Sequence, residues 1–73
     1  MNRAEYERKR VFRQGELLKN CPEGPGIDRD IWNLEYMITE IRPGSLSWRN
    51  GHIQSLRRAI QAMEREKGAA DYG

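Results

Sequence analysis

Two stretches of the chain carry apolar side chains at the spacing of one helix face. Ile31, Leu34, Ile38 and Ile41 fall at 0, 3, 7 and 10, and Ile53, Leu56, Ile60 and Met63 repeat that spacing. Such periodicity predicts two amphipathic helices whose stripes bury against each other. Trp32 and Tyr36 border the first stripe and Met37 flanks its other edge. Trp48, His52 and Ala59 widen the second. The pattern before them is less tidy. Ala4, Val11 and Leu18 form a line through Gly15 with Phe12 beside it, while Tyr6 and Leu17 project elsewhere.

Capping and breaking residues set the boundaries. Asn2 and Glu5 have capping-box spacing, and Glu5 and Lys9 stand four apart in the favourable order. Two prolines and two glycines between Pro22 and Gly26 end the first helix and make a turn. Asp28 is a good N-cap for the second helix, with Ile27 just outside it. Arg42-Pro43-Gly44 closes that helix, and Ser45 or Ser47 can cap the next. The expected architecture is an all-α, small three-helix domain over residues 1–67, with helices near 2–19, 29–41 and 46–67. Residues 68–73 read as a flexible tail.

Composition makes that core thin. Leu, Ile, Val and Phe supply only 13 of 73 residues, few for a chain with one cysteine and hence no internal disulfide. Burial against a partner, either a second copy or another protein, is a natural way to complete it. Charge is segregated. Residues 1–20 hold six basic and three acidic side chains, residues 21–41 one and five, and residues 42–73 six and three. A negative middle between positive ends also gives a dimer a means of setting orientation. With no apolar run of membrane-spanning length and no apolar leader, the expected setting is cytoplasmic, without membrane association.

Candidate chemistry is sparse. His52 is the single histidine, set beside an apolar stripe with no nucleophile near it in sequence, and Cys21 precedes a proline in a turn. Together they are too few for a structural zinc site. Glu35 and Glu40, five apart, project about 140° from each other on a helix and do not form an acid–base pair. Gly24-Pro25-Gly26 lacks the lysine and preceding strand of a phosphate loop. The expectation is therefore a non-catalytic protein with no metal, no cofactor and no small-molecule substrate.

Two binding readings remain. As a regulator or assembly component that binds another protein, the chain offers aromatic and arginine side chains of the kind that dominate interfaces: Trp32, Tyr36, Trp48, Arg49, His52 and Arg57. As a DNA- or RNA-binding protein it offers Arg8, Lys9 and Arg13 in the first helix. Arg57, Arg58 and Arg65 lie in the third, which would be the reading element.

Overall fold

Four helices form among the described residues, in the order α1 (Arg3–Lys19), α2 (Ile27–Glu40), α3 (Leu46–Arg49) and α4 (His52–Tyr72). The computed structural model describes the backbone of residues 2–72 and the side chains of residues 2–69. The all-α class stands, but the count of three does not. The expected third helix over 46–67 is broken at Asn50-Gly51, where Gly51 adopts φ +73°. A residue in that left-handed conformation cannot continue a right-handed helix, and glycine alone adopts it without steric penalty. Ser45 caps the short α3 by accepting the Trp48 amide through its hydroxyl (3.2 Å). After the break, the Gly51 carbonyl accepts the Ser55 amide and the ladder of α4 begins. That ladder continues to Tyr72, so residues 68–72 extend the helix instead of leaving it as a tail. Gly73 lies outside the described residues.

The other ends follow local chemistry. At the start of α1, the Asn2 side chain accepts the Glu5 amide at 2.9 Å, and the Glu5 carboxylate takes a longer bond from the Asn2 side-chain amide. Glu5 and Lys9 do not close an ion pair among the described residues. Helix α2 begins two residues earlier than expected. Gly26 is its cap position without a side-chain bond, Ile27 is its first residue, and Asp28 sits in its first turn. There the carboxylate is still favoured by the helix dipole.

The core lies where α2 meets α4. Ile53, Leu56 and Ile60 of α4 are buried, and the facing stripe of α2 is half-buried. The two helices run antiparallel, and Lys67 near the end of α4 bonds Asp28 at the start of α2 (2.5 Å). Helix α1 packs antiparallel on another side of α2, with Leu17 its one buried apolar residue. Among the described residues, α1 and α4 do not pack on each other. Helix α2 is thus the middle element. The Cα radius of gyration of 13.7 Å exceeds the about 11 Å of a compact chain of this length, as a row of helices requires.

Leu56→Asp should abolish cooperative thermal unfolding and most helical circular dichroism, because it places an unpaired carboxylate in the buried apolar contact between α2 and α4. Gly51→Ala should cost about 1 kcal/mol, read as a fall in melting temperature. No neighbouring atom lies within 4 Å of the added methyl, so the loss comes from the backbone alone.

Candidate protein-binding surface

The seam between α1 and α2 is built from polar side chains as much as from apolar ones. Tyr6, Arg10, Gln14 and Leu17 fall on one side of α1, about one helical turn apart. The Trp32 indole N–H donates to the Leu17 carbonyl at 2.7 Å, and the Gln14 amide donates to the Tyr36 hydroxyl at 3.2 Å. Arg10 donates to the Thr39 carbonyl at 2.5 Å, and Arg13 pairs with Glu35 at 3.2 Å. Thr39 itself is almost fully buried at 3% exposure, and its hydroxyl donates to the Tyr36 carbonyl at 2.6 Å. Each polar group drawn into the seam therefore has a partner, which offsets the cost of its burial.

Glu7 braces this arrangement. Its carboxylate accepts from both Nε and Nη2 of Arg10, at 3.2 and 2.5 Å. The hydrogen bond from Arg10 holds the Glu7 carboxyl below its ordinary value of 4.5, outweighing desolvation, and the charges of Arg10 and Arg42 add to the effect. A lowered folded-state value gives stability that is present above the ordinary pKa and lost as pH falls through the lowered one.

The aromatic candidates divide. Trp32 and Tyr36 stack with ring centroids 5.1 Å apart, and the Arg29 guanidinium lies 5.1 Å from the Trp32 ring centre. Both rings thus belong to the α1–α2 seam. Trp48 meets Tyr6 edge-on at 6.1 Å but is 42% exposed. Arg49 and His52 are exposed on either side of the Gly51 break. Arg57 is exposed on α4 and lines a groove with Arg13, Glu35, Ile38 and Gln61. A neighbouring section of that groove, lined by Phe12, Glu16, Ile31 and Lys67, has a volume of about 650 Å³. The groove runs over α2 between α1 and α4 and leaves Ile31 and Ile38 of the α2 stripe only half-buried.

The cationic candidates do not form one patch. Arg8 and Lys9 are exposed on α1, whereas Arg57, Arg58 and Arg65 are exposed on α4, the helix α1 does not pack against. Arg13 is held by Glu35. No ion pair joins Arg8, Lys9, Arg57, Arg58 or Arg65 to an acid among the described residues.

The largest surprise is on α1. Val11, Phe12 and Leu18 are 55%, 71% and 58% exposed, so the apolar line through Gly15 faces solvent instead of the core. Leu17 and Tyr6, which point to another side, make the contact with the rest of the fold. Three large apolar side chains of one helix are therefore exposed on this small domain. The sequence shows the Ala4–Val11–Leu18 line plainly. Only the alternative line of Tyr6, Arg10, Gln14 and Leu17 signals that another side of α1 faces inward, and its polar members hide it.

No group of three or more His, Cys, Asp or Glu side chains is placed to hold a metal among the described residues. No helix among them is long and apolar enough to cross a membrane. The chain matches no family model, no curated protein and no solved structure.

Glu7→Gln should lower the melting temperature at neutral pH. The gap from wild type should close as the medium is acidified below pH 4.5 and through the lowered Glu7 value, where the wild-type carboxylate is itself protonated. Parallel melts of the two proteins across the acid range check this, and a gap that persists at the acid end would remove the assigned cause.

Proposed function

We propose that this protein works by binding another protein chain, as a regulator or assembly component, without catalysing a reaction. The observation that carries the reading is the exposed apolar line of α1, with Val11, Phe12 and Leu18 each more than half exposed. Covering such side chains is worth roughly 1.5–3 kcal/mol each when complete, so three of them supply a substantial part of an interface core. Arg8 borders the line, and Trp48 and Arg49 add an aromatic and a cation elsewhere on the same molecule.

A photo-crosslinking amino acid at Phe12 in the producing cell tests the reading. The expected result is a discrete adduct whose added mass is protein, absent when the same group is placed at Gln54 on the outer side of α4. Adducts that are equal at the two positions, or the lack of any protein adduct, would refute it.

Nucleic-acid binding is the second reading, favoured by the exposed Arg57, Arg58 and Arg65 of the C-terminal helix, which have no acidic partner among the described residues. It requires affinity for a mixed duplex that falls steeply with salt, and a shallower slope by about one unit for each arginine replaced. Titration of wild type and of Arg58→Gln/Arg65→Gln across salt concentrations decides it. Failure to bind even in low salt ends this reading.

A further inference from the structure

We propose that Val11 and Leu18 of α1 are covered by α2 of a second copy of the chain, in a dimer whose two-fold axis runs parallel to the helices. The proposal rests on the protein-binding reading above and names the partner. Its first support is that both surfaces lie on one side of the molecule. The groove faces the other way, lined by Phe12, Arg13 and Glu16 of α1 and by Asp28 and Glu35 of α2, so Phe12 belongs to the groove side and only Val11 and Leu18 of the exposed apolar residues of α1 face away from it. At 100° per residue, Val11 and Leu18 project roughly opposite to Glu16 on α1. Asp30, Met37 and Glu40 likewise project away from Glu35 and Asp28 on α2. All five are exposed, Met37 by 48%. The face away from the groove therefore carries an apolar line on α1 beside an acidic line with a methionine at its middle on α2.

Register supplies the second support. Within one chain, the contacts Arg10–Thr39, Arg13–Glu35, Gln14–Tyr36 and Leu17–Trp32 step down α2 as they step up α1. Carried along the two helices, that register sets Val11 level with Met37, Arg8 level with Glu40, and Lys19 level with Asp30. Rotation about an axis parallel to the helices leaves every height unchanged. When two copies meet face to face about that axis, α1 of each lies over α2 of the other, and these same pairs come level across the interface. An exposed valine then meets an exposed methionine, while Arg8 and Lys19, projecting from the outer edge of α1 between that face and Glu16, come level with the acids and reach them by their long side chains.

Charge gives the third support. Residues 1–20 carry a net charge of +3, whereas residues 21–41 carry −4 (six basic against three acidic, then one against five). Asp30, Glu40 and Arg8 have no ion pair among the described residues, and Lys19 has only a long one to Glu16 at 3.9 Å. Turning the second copy end over end would instead place α1 over α1, basic on basic. Electrostatics thus selects the arrangement in which α1 covers α2.

Sedimentation equilibrium with charge-reversed chains tests the proposal. Wild type should be a dimer. Arg8→Glu/Lys19→Glu and Asp30→Lys/Glu40→Lys should each stay helical by circular dichroism but dimerise at least about tenfold more weakly, since all four interchain levels become like-charged. Mixed one to one, the two variants should restore the wild-type dimer, because reversed α1 then lies over reversed α2 and native over native. A monomeric wild type, or a mixture that associates no better than its components, would overturn the proposal. A monomeric wild type whose Phe12 crosslinker still captures a different protein would overturn the second copy as partner while leaving the protein-binding reading in place.

Discussion

The apolar contact between α2 and α4 is what the remainder of the structure depends on. Ile53, Leu56 and Ile60 are the buried apolar residues of α4 among those described, and their burial against α2 is the main apolar contact of both helices. The Lys67–Asp28 bond sets the far end of this pair in register, but an exposed ion pair contributes little by itself. Helix α1 then adds to an α2 that is already held on its other side. This hierarchy explains why a chain with so few large aliphatic residues can form three long helices: it concentrates burial in one seam and closes the second with hydrogen bonds.

That second seam was the least legible part of the chain. The stripes of α2 and α4 could be read directly, because both consist of aliphatic residues at strict helical spacing. The inward side of α1 could not, since Arg10 and Gln14 serve there as donors to Thr39 and Tyr36 and look like surface residues in the sequence. Val11 and Leu18 look like core and are exposed. Hydrophobic periodicity finds the apolar side of a helix, which in α1 is not the side the fold buries.

The break at Gly51 shows another limit. A glycine near a helix start is compatible with a continuous helix, at a cost of about 1 kcal/mol, or with a left-handed turn that divides it. Local composition does not choose between them; Ser45 fixing the short α3 and the contact of Trp48 with Tyr6 belong with the turn. Among the candidate site residues, Trp32 and Tyr36 were legible as important aromatics but not as a stacked pair inside the fold. The single Arg29 guanidinium over Trp32 accounts for a cation that composition alone would assign to solvent or to a ligand.

Because α1 packs against α2 and not α4, and has Leu17 as its only buried apolar residue, it is a separable leaf of the architecture. Its amide protons have a route to exchange that does not require the α2–α4 pair to open, at a free energy below that of global unfolding. The molecule consequently has two tiers of cooperativity, an inner one set by oil-like burial and an outer one set by directional polar bonds. Anything that clasps the outer side of α1 would merge the two tiers into one.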